Sequence, residues 1–113
     1  MTINEYQKAA LRTTPFDIYK SQKDQLFNGL LGLCGESGEA IDIIKKWAYQ
    51  NHPLDEEHLA RELGDIAWYI ALTADAIGYD LETIFRMNIE KLKARYPEGF
   101  SSELSVNRAT DDI

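Results

Sequence analysis

Two short stretches carry the residues with the most chemistry to offer. Gly35-Glu36-Ser37-Gly38-Glu39 and Glu62-Leu63-Gly64-Asp65 each place two carboxylates three residues apart in an otherwise apolar, helix-forming context. Residues three apart on a helix share a face, about one turn from each other. Two such helices packed side by side would bring Glu36, Glu39, Glu62 and Asp65 to one spot. Four carboxylates together repel one another and their pKa values rise, unless a cation sits among them. Oxygen-only donors suit a hard divalent cation, Mg²⁺ first. The spacing therefore predicts a metal site inside a helix bundle. Carboxylates at helical spacing are also what a solvated helix face looks like, and spacing by itself leaves both readings open.

A further set of residues fits phosphate. Asn88, Lys91 and Arg95 follow one another at three- and four-residue steps, so a helix would present them together. Lys and Arg hold phosphate oxygens, Arg through a bidentate fork. Basic residues in a last helical turn also complement the helix dipole, and Lys93 reads that way. Lys45 and Lys46 are further cationic candidates.

The elements that must position these groups read as helices throughout. Thr2-Ile3-Asn4-Glu5 has the form of a capping box, which predicts a short helix from there to about Arg12, stopped by Thr13-Thr14-Pro15. Ile3, Tyr6, Ala10 and Leu11 should face inward. Ser21 with Asp24 caps a second helix that runs to about Tyr49. Leu26, Leu30, Leu33, Ile41, Ile44 and Ala48 recur in it at helical steps. Gly29, Gly32, Gly35 and Gly38 lie inside the same helix, each costing about 0.5–1 kcal/mol relative to Ala. Close approach of a neighbouring helix or a ligand is one reason to keep them, and a break near 29–35 is the other. After Gln50-Asn51-His52-Pro53, Asp55 caps a third helix over about 56–77, ended by Gly78. It carries one apolar stripe through Leu59, Leu63, Ile66, Ala67, Ile70, Ala74 and Ile77, and a second through Trp68, Ala71 and Leu72. A helix apolar on most sides is buried on most sides, which predicts an oligomer, most simply a two-fold dimer. A fourth helix runs from Leu81 to about Arg95, with Ile84, Phe85, Ile89 and Leu92 inward. The expectation is one all-α domain over 1–100, followed by a polar tail, 101–113, either disordered or laid on a partner.

Composition narrows the function. The chain has 113 residues, 44% of them hydrophobic, enough for one domain with a core. Its net charge of −7 argues against a nucleic-acid or anionic-membrane partner. A phosphorylated small molecule stays open, because bound metal reverses the local field. One cysteine, Cys34, excludes an intramolecular disulfide and reads as a small core residue. No stretch resembles a signal peptide or reaches the roughly 20 apolar residues of a membrane span, so the expected location is cytoplasmic. The two histidines, His52 and His58, offer neither a triad nor zinc spacing. No phosphate-cradling GxxxxGK[ST] loop and no Glu-x-x-His di-iron repeat is present.

Glu36-x-x-Glu39 followed by Glu62-x-x-Asp65, in Gly-Glu-x-Gly-Glu and Glu-Leu-Gly-Asp contexts, resembles the signature of the MazG-like all-α nucleoside triphosphate pyrophosphohydrolases. So does the later Asn88-x-x-Lys91-x-x-x-Arg95-Tyr96-Pro97. The resemblance implies a four-helix-bundle-like MazG-type protomer that assembles as a homodimer or homotetramer. It implies Mg²⁺, with Mn²⁺ as a substitute, held by Glu36, Glu39, Glu62 and Asp65, with Glu36 or Glu39 serving the attacking water. It implies cleavage of a nucleoside triphosphate between its α and β phosphates, with Tyr69, Asn88, Lys91 and Arg95 contacting substrate. Trp47 and Trp68 could stack a base or belong to the core. Two other functions fit the same residues: a non-catalytic helical assembly module, and a hydrolase of a related phosphorylated metabolite.

Overall fold

The capping box and the two N-caps read in the sequence start the first three helices where expected. The computed structural model describes residues 1–113, which form five helices and no strand: α1 (Ile3–Leu11), α2 (Gln22–Tyr49), α3 (Glu56–Ala76), α4 (Leu81–Arg95) and α5 (Ser102–Val106), with a 3₁₀ turn at Phe16–Ile18. At the start of α1 the Thr2 hydroxyl accepts from Glu5 N–H at 3.1 Å, and the Glu5 carboxylate accepts from Thr2 N–H at 3.1 Å. The Ser21 hydroxyl caps α2, and Asp55 caps α3 by accepting from His58 N–H at 3.0 Å. Gly78 ends the third helix in the left-handed region, φ 76°, a conformation that favours glycine. The all-α fold follows the sequence reading. The chain divides into two compact units, 1–81 and 82–113.

In the first unit α2 and α3 lie antiparallel. The first turn of α2 hooks the last turns of α3: Gln25 Nε2 donates to Leu72 O at 3.1 Å and to Asp75 Oδ2 at 2.9 Å, and Gln22 Nε2 donates to Ala76 O at 2.8 Å. Further along, a Cβ at Gly29 would collide with Thr73, and one at Gly32 with the Tyr69 ring. These two glycines let the helices close on each other, and α2 runs unbroken through them. Gly35 and Gly38 face open space, so the close-approach reading holds for two glycines of the four.

Helix α1 crosses the other side of α3. Trp68 Nε1 donates to Ala10 O at 3.2 Å and to Thr13 Oγ1 at 2.8 Å. Gln7 is buried, yet its side chain is satisfied: Nε2 donates to Ala71 O and Tyr79 O, both at 3.3 Å, and Oε1 accepts from Leu81 N–H at 2.9 Å. Ala10, Ala71, Leu72, Ala74 and Leu81 form the buried apolar core. Burying a leucine fully stabilises by about 1.5–3 kcal/mol, so Leu72 and Leu81 are its main anchors.

Several residues expected inside stand outside. Leu30, Ile41 and Leu63 are about half-exposed or more, as are Phe27 and Leu31, and Cys34 is exposed. The reason is geometric: α1 and α2 cover two sides of α3 and leave the outer faces of the hairpin bare. Ile3, Phe85, Ile89 and Leu92 are likewise partly exposed.

In the second unit the last residues are structured. Ser101 caps α5, and Asp112 returns to α4, where Arg95 Nε donates to both of its carboxylate oxygens at 2.8 and 2.7 Å. No helix is long and apolar enough to cross a membrane.

Candidate metal centre

The register set by the glycine seam continues into the acidic residues. Gly29 meets Thr73 and Gly32 meets Tyr69. One further turn along α2, and one back along α3, brings Glu36 opposite Asp65 and Glu62. One carboxylate oxygen from each of Glu36, Glu62 and Asp65 lies within 4.8 Å of the other two. Glu62 is 7% exposed despite its charge. Both Glu36 Oε2 and Glu62 Oε2 are buried without a hydrogen-bond donor. Leaving a buried charged oxygen unpaired is expensive, so the arrangement lacks a positive partner that the chain does not supply.

A proton can fill part of that role. A hydrogen bond between the Glu36 and Glu62 carboxyls pushes the Glu36 pKa up to about 7, helped by burial and by the negative charges of Glu39, Asp65 and Glu62. The Tyr6 phenol of α1 is also pushed up, by burial first and by the Asp65 charge second. All three donors are hard carboxylate oxygens, and two of them hold unpaired buried lone pairs. This set fits a hard divalent cation and does not suit a metal that demands thiolate or imidazole.

Glu39 departs from the expected foursome. It is exposed and stands outside the trio, although its charge still raises Glu36. It lines a neighbouring cleft of about 580 Å³ together with Gly35, Gly38, Asp42, Lys46, His52, Asp55, His58 and Glu62. Within that cleft Asp42 pairs with Lys46 at 2.8 Å and with Lys45 at 3.4 Å, which holds its carboxyl below the usual carboxylate range. Lys45 and Lys46 are thus engaged by a neighbour on their own helix. Across the cleft, His58 Nε2 lies 3.1 Å from Glu62 Oε1. The sequence reading set both histidines aside, yet His58 four residues before Glu62 is a legible helical pair.

The aromatic candidates have structural partners. The Tyr69 ring lies over Gly32 and meets Trp68 edge-on, with centroids 4.9 Å apart. The Trp68 indole N–H is spent on α1, so Trp68 is a core anchor, whereas Trp47 is half-exposed. Asn88, Lys91 and Arg95 belong to α4 in the second unit, where Asp112 binds Arg95 and lies near Arg108 and Lys91. That contact raises the Arg95 pKa and lowers that of Asp112.

A family model for the MazG nucleotide pyrophosphohydrolase domain matches residues 27–100. The chain belongs to the MazG family. The matched segment contains every acidic residue of the site along with Tyr69, Asn88, Lys91 and Arg95, and it bears out the resemblance seen in the sequence. It leaves out α1 and the segment after residue 100. The Gene 37 protein of Mycobacterium phage L5 is similar to this chain, 32% identical over 117 residues, covering 96% of the chain and 100% of that protein. No solved structure matches significantly.

Proposed function

We propose that this chain is a Mg²⁺-dependent nucleoside triphosphate pyrophosphohydrolase, with Mn²⁺ able to substitute. The observation that carries the proposal is the trio Glu36, Glu62 and Asp65, converging within 4.8 Å with two buried oxygens unpaired. MazG membership supplies the nucleotide class, which the geometry alone does not.

In this reading Glu36, Glu62 and Asp65 hold the cation. The cation supplies charge neutralisation for phosphate oxygens and a lowered pKa for water. Glu39, exposed at the edge of the cleft and outside the trio, accepts the proton of the attacking water. The water oxygen bonds to phosphorus as the P–O bond bridging the α and β phosphates breaks. The nucleoside monophosphate and pyrophosphate are the products, and pyrophosphate takes the electron pair of the broken bond. Lys91, Arg95 and Asn88 bind phosphate oxygens, and Tyr69 contacts the nucleoside. The bare apolar residues Phe27, Leu31 and Leu63 support assembly through the outer face of the hairpin, as a homodimer or homotetramer.

The test is a panel of nucleoside triphosphates with Mg²⁺, reading pyrophosphate against orthophosphate. Pyrophosphate release that Glu39→Gln abolishes, with the circular dichroism spectrum unchanged, is the expected result. Orthophosphate alone, or turnover undiminished in the variant at saturating Mg²⁺, would refute the assignment.

A further inference from the structure

Of the three clustered carboxylates, Glu62 alone receives a hydrogen bond from a side chain outside the trio. The donor is His58, one turn earlier on α3, with Nε2 at 3.1 Å from Oε1. A carboxylate holding a cation is ionised and only accepts, so in the metal-bound state the imidazole would carry its hydrogen on Nε2. The backbone of His58 is anchored in the first turn of α3, where its N–H donates to the Asp55 cap at 3.0 Å. A chain of contacts thus runs from the first turn of α3 to the most buried acid of the site. The His58 side chain is 54% exposed and lines the cleft beside Glu39, whereas Glu62 behind it is nearly enclosed.

The terminal torsion of a glutamate is broad, so a free carboxylate samples many orientations. Tying Oε1 removes that freedom and leaves Oε2 as the oxygen not engaged by the histidine. Glu62 Oε2 is one of the two buried oxygens without a donor. We propose that His58 is a positioning residue that holds Glu62 Oε1 so that Oε2 is presented to a divalent cation shared with Glu36 and Asp65. The inference rests on the metal site proposed above and adds to it a residue that the acidic signature does not contain. Donors behind metal ligands fix ligand orientation in this way, and their loss weakens affinity by roughly 10–100-fold.

The experiment uses the full chain, without nucleotide, and reads Mn²⁺ binding by calorimetry and by the electron paramagnetic resonance signal of free Mn²⁺. His58→Ala should weaken Mn²⁺ binding by about 10–100-fold while leaving metal-free thermal unfolding close to that of the parent. His58→Gln, whose side-chain amide can still donate, should recover most of the affinity. Unchanged affinity in His58→Ala overturns the proposal. So does equal weakness in His58→Gln and His58→Ala, since donation would then be irrelevant. Absence of Mn²⁺ binding by the parent chain is a separate result, which overturns the metal site itself and the inference with it.

Discussion

In the proposed metal site, Glu36 is the residue at which a proton and a cation would compete most directly. Its carboxyl shares a proton with Glu62 and titrates near 7, against an ordinary value of 4.5. Between those two pH values the native state keeps a proton that the unfolded chain releases. The stabilisation it provides is therefore fully present below about 4.5 and lost as pH rises through about 7. Without metal, the melting temperature should fall from pH 5 to pH 8 as repulsion in the trio grows. A cation needs the proton gone, so its apparent affinity should rise about tenfold per pH unit well below 7 and level off above, or about 50-fold between pH 5 and pH 7. Binding should release close to one proton at pH 5 and almost none at pH 9. Calorimetry of Mn²⁺ binding in two buffers of different ionisation enthalpy counts those protons directly. Glu36→Gln, which keeps the shape but cannot titrate, isolates this group from other acids and from the histidines. It should bind more weakly and lose this part of the pH slope. An affinity that is flat from pH 5 to pH 7 in the parent chain, or the same slope in the variant, would refute the shared proton.

Two further outcomes test the seam and the last helix. Gly32→Ala drives a methyl into the Tyr69 ring, so overpacking of about 1–3 kcal/mol should outweigh the propensity gain of about 0.5–1 kcal/mol. Gly35→Ala meets nothing within 4 Å and should instead stabilise the chain by about 0.5–1 kcal/mol. Urea unfolding in EDTA measures both, and a shared sign would contradict the packing described. Asp112 holds Arg95 with side chains 21% and 13% exposed, so if Arg95 binds a substrate phosphate as proposed, Asp112 must first leave. Asp112→Asn removes the competing charge, so in the proposed reading it should lower KM for the accepted triphosphate with kcat unchanged. An unchanged KM would remove Arg95 from the phosphate contacts.

Helix ends were legible because caps are local: Thr2, Ser21 and Asp55 satisfy donors within three residues of themselves. Of the four acids expected together, Glu36, Glu62 and Asp65 meet and Glu39 stands apart. A step of three residues turns about 300°, some 60° short of a full turn, so two carboxylates at that spacing diverge as well as align. On α3 both stay at the seam, whereas on α2 only Glu36 does, and Glu39 swings into the cleft. What the sequence concealed are contacts between distant residues. Gln7 reaches Ala71, Trp68 reaches Ala10, and Arg95 reaches Asp112, and no periodicity announces such pairs. Cys34 and Leu30 read as core because apolar residues at helical spacing mark a face, not what covers it.

The position of Gly29 and Gly32 explains why the acids meet. Glu36 must reach across to another helix, and a carboxylate on a three-bond stem spans only a short gap. Helices bearing ordinary side chains pack about 8–10 Å apart. Where Gly29 admits Thr73 and Gly32 admits Tyr69, α2 and α3 approach without a Cβ between them. One turn later the glycines give way to Glu36, and the short distance inherited from the seam is what brings its oxygen within 4.8 Å of those of Glu62 and Asp65. The glycines that weaken α2 as an isolated helix are thus what holds its acid against the two on α3. A variant that opens the seam should lose divalent-cation affinity together with stability, even though no ligand has been changed.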